Sequence, residues 1–189
     1  MNKTNPSHPA DSDWPCILRF KEGDESAFSE IFNKHKTTVI NLAFRVVREK
    51  GAAEDIAQEV FIKIYEKRIP FDPKAKFSTW LYRVTVNTSI DFLRRKKVFP
   101  SSSDESRQDS VDPSQVSTHN LLADKELKGQ IQREIDQLPE KLKIPLTLYQ
   151  FEDMPYREIA KILGISEKAV ERRLYRAKEL LRAKFLKCL

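Results

Sequence analysis

The sequence is short of the residues that staple, bend or span. Its 189 residues include two cysteines, four glycines, two tryptophans and three histidines. Cys16 and Cys188 stand near opposite ends without CxxC spacing, which excludes a disulfide framework and a thiolate zinc site and fits a reducing cytoplasm. His8, His35 and His119 are scattered, with neither ligand spacing nor a nucleophile partner. No Gly-rich phosphate loop or paired-carboxylate pattern occurs, so no catalytic residue, metal, cofactor or small-molecule substrate is expected. The start, from Met1 to Trp14, is polar and proline-spotted and lacks the apolar centre of a signal peptide. No run approaches the roughly 18 apolar residues of a membrane span. The expectation is a soluble, cytoplasmic protein without membrane insertion.

What the sequence does have is charge. Charged residues make up 33% and apolar residues 40%, a balance that favours charge-laced helices over sheet. The length accommodates two small domains, each with a modest core. The formal charge is +6, which suits a polyanionic partner. Residues 1–98 hold 18 basic and 13 acidic side chains, residues 99–125 hold 2 and 5, and residues 126–189 hold 14 and 10. The middle segment opens Phe99-Pro100-Ser101-Ser102-Ser103 and carries too few apolar residues to repay the entropy of ordering, so it reads as a flexible acidic linker. Such a tether lets two basic modules engage separated sites on one partner. The expected organisation is all-α: a tail and the start of the first helix over 1–23, a first helical domain over 24–98, the linker over 99–125, and a second helical domain over 126–189.

In the first domain, Ala53, Ile56, Ala57, Val60, Phe61, Ile64 and Tyr65 recur at helical spacing and predict a core-facing helix over 51–67. Upstream, Ala27 through Val47 support one or two amphipathic helices that start after the turn Gly23-Asp24-Glu25-Ser26. A further helix is predicted over 77–97. Between them, residues 68–76 hold Pro70 and Pro73 and read as a loop with aromatic and basic side chains together. In the second domain, helices are expected over 124–137, 140–151 and 156–163, with Pro145 tolerable if it falls in a first turn. Gly164-Ile165 forms a tight turn, Ser166 an N-cap, and 167–185 a long helix, which is the layout of a helix-turn-helix.

Three faces carry chemistry. On the last helix, Val170, Leu174, Ala177 and Leu181 read as buried, leaving Lys168, Glu171, Arg172, Tyr175, Arg176 and Lys178 outward. A solvated surface helix would look similar, but the preceding short helix and turn favour a helix that enters a major groove, with Lys168, Arg172, Arg173 and Arg176 placed for guanine or phosphate. Glu171 can accept from a cytosine amino group, pair with a neighbouring arginine, or exclude some sequences. On the helix over 77–97, Trp80, Arg83, Asn87, Asp91 and Arg94 recur at steps of three and four, ahead of Arg94-Arg95-Lys96-Lys97. Taken alone, Trp80 is a core residue and Asn87 a surface amide. Beside a loop that holds Phe71, Lys74 and Lys76, they fit a single strand stacked on aromatics next to a basic groove, with an unpaired base read by an amide. On the helix over 51–67, Asp55, Gln58, Glu59 and Ile62 form an acidic, partly apolar face. Carboxylates there would repel phosphate, so it suits a protein partner.

Two stretches resemble a known family. Ala53-Glu54-Asp55-Ile56-Ala57-Gln58-Glu59-Val60-Phe61 and Phe77-Ser78-Thr79-Trp80-Leu81-Tyr82-Arg83-Val84-Thr85-Val86-Asn87 resemble region two of the extracytoplasmic-function sigma factors. Leu138-Pro139, Tyr156-Arg157-Glu158-Ile159-Ala160, Gly164-Ile165-Ser166 and Arg173-Leu174-Tyr175-Arg176-Ala177-Lys178 resemble region four of the same family. The resemblance implies binding to core RNA polymerase and to promoter DNA, with no covalent step. Asp55, Gln58, Glu59 and Ile62 would meet the clamp coiled coil of the largest polymerase subunit. Phe71, the loop through Lys74 and Lys76 to Phe77, and Asn87 would hold a flipped base of the melted minus-ten element. Thr79, Trp80, Arg83, Arg94 and Arg95 would support the strand. The helix from Ser166, with Lys168, Glu171, Arg172, Arg173, Tyr175 and Arg176, would enter the minus-thirty-five major groove. Glu171 stands where many relatives carry a base, so promoter sequences are not transferable. Many members are held inactive by an anti-sigma factor, often membrane-bound. Rival readings are a helix-turn-helix regulator that acts without polymerase and a helical adaptor that does not bind DNA. The first leaves the Asp55 face and the loop aromatics without a task, and the second predicts little DNA affinity at any salt concentration.

Overall fold

The computed structural model describes residues 12–66, 76–98 and 121–185, with 121–128 described by their backbone only. The chain divides into two compact units, residues 1–100 and 101–189. Among the described residues every regular element is helical, and no helix is long and apolar enough to cross a membrane.

The first unit holds α1 (Trp14–Lys21), α2 (Glu25–Val47), α3 (Lys50–Glu66) and α4 (Phe77–Val98). Its core joins Ile17 and Phe20 of α1, Ile31 and Val39 of α2, Ile56, Val60, Phe61 and Ile64 of α3, and Phe77 and Leu81 of α4. α1 is a separate helix, closed by Gly23 at φ +101°, where the sequence reading lets the tail run into the first helix. Pro15 sits in its first turn, where its missing N–H is no loss. Arg19 ties α1 to α2: its Nε donates to Asp24 at 2.9 Å and its Nη1 to Glu30 at 3.1 Å. Asp24 is the N-cap of α2 and accepts from the Ser26 backbone N–H at 2.9 Å and from its hydroxyl at 2.6 Å. The Ser26 hydrogen bonds, then Arg19, lower its carboxyl to a pKa of about 2. α2 is one continuous helix of 23 residues rather than two.

α3 buries the stripe expected of it except Tyr65, which is exposed and donates its hydroxyl to Glu25 at 3.1 Å. α4 departs from an apolar pattern, because Thr85, Thr88 and Ser89 are buried. The Thr85 hydroxyl donates to the Leu81 carbonyl at 2.9 Å and that of Ser89 to the Thr85 carbonyl at 2.8 Å. These internal bonds let hydroxyls enter the core without stranding a polar group.

The second unit holds α5 (Leu121–Asp136), α6 (Glu140–Phe151), α7 (Tyr156–Leu163) and α8 (Glu167–Phe185). α5 therefore begins inside the segment expected to be linker; residues 99–120 lie outside the described residues. Pro145 lies in the second turn of α6, not the first, and is buried with Leu142, Ile144, Leu146 and Leu148. Burial of this apolar run offsets the hydrogen bond that the ring removes. α7 and α8 meet over Ile159, Ile162, Val170, Leu174 and Ala177, while Leu181 is only half-buried and ends the stripe a turn earlier than expected. Gly164 adopts φ +63°, and its N–H and that of Ile165 both close on the Ala160 carbonyl. The Ser166 hydroxyl then accepts from the Ala169 N–H at 3.2 Å and starts α8. A Cβ on Gly164 would meet nothing within 4 Å, so the cost of Gly164→Ala is backbone strain alone. A loss of about 1–2 kcal/mol in the second unit is expected by urea denaturation, and no loss would mean that this turn tolerates an L side chain freely.

Candidate nucleic-acid interface

On α8, Lys168, Glu171, Arg172, Tyr175 and Arg176 are exposed, while Arg173 is half-buried on the flank of the helix. Lys168, Arg172 and Arg176 follow one another at steps of four and form a ladder on one side. Tyr175, 68% exposed, stands beside them as a large apolar side chain with no core role. Ser166 is exposed, but its hydroxyl serves the helix as a cap. Lys178 sits over the Tyr149 ring at 5.1 Å and belongs to the packing of α8 on α6.

On α4, Arg83, Asn87, Asp91 and Arg94 are exposed on one stripe, and Lys76 and Arg95 are exposed as well. Thr79 and Trp80 are half-buried. Phe77 corrects the sequence reading: it is fully buried, its ring stacks on Trp80 at 5.9 Å and meets the His35 ring edge-on at 5.4 Å. A ring so enclosed cannot stack on a base. It roots α4 in the core and carries Trp80 with it. Phe71 and Lys74 lie outside the described residues.

On α3, Asp55, Gln58 and Ile62 are exposed at spacings that put them on one side, with Ile62 54% exposed. Glu59 is different, being half-buried and held in ion pairs. Its Oε1 lies 2.6 Å from Lys63 Nζ and its Oε2 3.6 Å from an Arg95 guanidinium nitrogen. The Lys63 hydrogen bond, with Coulombic help from Lys63 and Arg95, lowers its pKa against the cost of burial. Lys96 pairs with Glu49 at 3.2 Å and Arg94 with Asp91 at 3.8 Å. Sequence reasoning missed the pairs that tie α4 to Glu59 of α3 and to Glu49 just before α3, since the partners are far apart in the chain and no single-helix periodicity reports them.

The Cys16 thiol donates to Glu30 at 3.2 Å, and this bond together with burial raises its pKa, which makes it a weak nucleophile at neutral pH. Cys188 lies outside the described residues. Among the described residues no group of three or more His, Cys, Asp or Glu could hold a metal ion.

The family described as Sigma-70 region 2 matches residues 31–98, and that described as Sigma-70, region 4 matches residues 128–181. The ECF RNA polymerase sigma factor SigW of Bacillus subtilis (strain 168) is 34% identical over 173 residues, which cover 88% of this chain and 92% of that protein. Among solved structures, CnrH in complex with the cytosolic domain of CnrY superposes with a TM-score of 0.67 at 22% identity, over 93% of this chain and 97% of that one. The sigma factor RpoE in complex with the anti-sigma factor NepR, from Bartonella quintana, gives 0.66 at 18% identity, over 85% and 96%. These two show the same fold. The chain belongs to the extracytoplasmic-function RNA polymerase sigma factors of the sigma-70 family and directs promoter-specific transcription initiation. A helix-turn-helix regulator acting without polymerase would need only the second unit, and the region 2 match sets that reading aside.

Proposed function

We propose a division of labour among the three faces. α3 docks on the clamp coiled coil of the largest polymerase subunit through Asp55, Gln58, Glu59 and Ile62. α4, with Lys76, Thr79, Trp80, Arg83, Asn87, Arg94 and Arg95, together with Phe71 and Lys74, takes the unpaired strand of the minus-ten element. α8 reads the minus-thirty-five duplex through Lys168, Glu171, Arg172, Arg173, Tyr175 and Arg176, with Ser166 setting its start. In this division residues 24–98 form region two, joined by α1 in its core, and residues 126–189 form region four, whose first helix α5 begins at Leu121.

The observation that carries the proposal is the exposed stripe Arg83, Asn87, Arg94 on α4 beside a half-buried Trp80. An exposed amide one turn from Arg83 and near an aromatic is suited to an unpaired base and its phosphate, while Asp91, next on the stripe, pairs with Arg94. The factor acts in the cytoplasm and without a covalent step of its own. An anti-sigma factor is a further partner, proposed by analogy with the RpoE–NepR complex.

Run-off transcription with purified core polymerase and a genomic promoter library tests the reading. Added protein is expected to yield promoter-dependent transcripts, and none would overturn it. Asn87→Ala should reduce permanganate reactivity of the melted minus-ten region more than Arg176→Ala does when both holoenzymes are saturated with promoter. Equal melting by the two variants would contradict the assignment of Asn87.

A further inference from the structure

Three residues of the basic run that ends α4 lie beside carboxylates. Arg94 faces Asp91, Arg95 faces Glu59 and Lys96 faces Glu49. Of these acids Glu59 comes from α3 and stands on the face assigned to polymerase, while Glu49 lies just before α3. Lys63 fixes Glu59 in place: it holds Oε1 at 2.6 Å and donates to the buried Thr88 hydroxyl of α4 at 3.1 Å. The carboxylate is therefore anchored by α3 and α4 together and presents its second oxygen to Arg95. For a DNA strand approaching α4, the single negative charge of Glu59, shared between Lys63 and Arg95, offsets part of the positive charge that Arg95 would present to the phosphates.

We infer that Glu59 is a positioning residue that withholds Arg95 from nucleic-acid phosphate in the free protein and releases it when polymerase engages the same carboxylate. The release step rests on the assignment of α3 to polymerase; the withholding step does not. The pair is weak enough to be exchanged. Arg95 is well exposed, and ion pairs of this kind contribute only a few tenths to about 1 kcal/mol, a factor of roughly 1.5 to 5. The consequence is an order of events: the chain binds strand poorly while alone and better once it is docked.

The test uses the full chain and a labelled single-stranded oligonucleotide followed by fluorescence anisotropy over a range of salt concentrations. Without polymerase, Glu59→Gln should tighten binding about two- to fivefold and steepen the plot of log affinity against log salt by about 0.7, the increment for one further phosphate contact on a single strand. Glu54→Gln makes the same charge change on α3 and should give a smaller gain with an unchanged slope. Adding Arg95→Gln to Glu59→Gln should remove the gain, as a double-mutant cycle. Equal gains from Glu59→Gln and Glu54→Gln, or a gain that survives the loss of Arg95, would overturn the withholding step whatever run-off transcription shows. With saturating core polymerase the difference between wild type and Glu59→Gln should close. A difference that persists in the complex would overturn the release step.

Discussion

Replacing Phe77 by alanine lowers the stability of the first unit by about 3–5 kcal/mol, the usual range for emptying a buried phenyl site. The ring has no exposed surface, sits among the core of all four helices and contacts both Trp80 and His35. As the first residue of α4 it also fixes where that helix leaves the core, so the Trp80 ring loses its support when Phe77 is removed. Urea denaturation, with hydrogen exchange to localise the change to α1–α4, measures this. A stability loss below about 1 kcal/mol, accompanied by a selective loss of strand binding, would return Phe77 to the DNA face.

Arg172→Ala combined with Arg176→Ala should leave the fold intact and cost the holoenzyme about a hundredfold in promoter affinity, with each guanidinium contributing about 1–3 kcal/mol if it meets a base. Both side chains are exposed, and they are one turn apart on the same side of α8. If they bind phosphate instead, affinity falls more evenly across sequences and the salt slope drops by about 1 for each. Filter binding on a promoter duplex and on a scrambled duplex separates these two outcomes. A loss of less than about threefold on either duplex would remove this side of α8 from the interface, since even a single phosphate contact is worth more than that at moderate salt.

The second unit was the more legible of the two in sequence. Pro139, Pro155, Gly164 and Ser166 punctuate it, and α6, α7 and α8 begin and end where those residues require. Each of these residues acts on the backbone locally, so its meaning does not depend on distant contacts. The first unit was harder to read. α1 spans eight residues and fully buries Ile17 and Phe20, with Trp14 and Cys16 partly buried against the core, too short a run to establish a period. α4 buries Thr85, Thr88 and Ser89, whose hydroxyls are satisfied by the helix itself or by Lys63, so its inner face looks polar on paper. Phe77 follows a sequence stretch with aromatic and basic side chains and shares its composition, yet the first turn of α4 directs it inward. The ion pairs of Glu59 and Glu49 with α4 are tertiary facts, and charge counted along one helix cannot contain them.

α8 is packed along one edge by Val170, Leu174 and Ala177. Near its C-terminal end, Lys184 grips Glu134 of α5 and, at 2.6 Å, the Gln137 side chain. Core packing over the first half of α8 and these contacts near its end limit how far the helix bows. Under the proposed reading of α8, accommodation to promoters that differ in groove width or base sequence would come from the arginine and lysine rotamers on its outer side, or from the DNA, which bends at its own elastic cost. On that reading, discrimination would be partly a measure of how readily each promoter shapes itself to the helix.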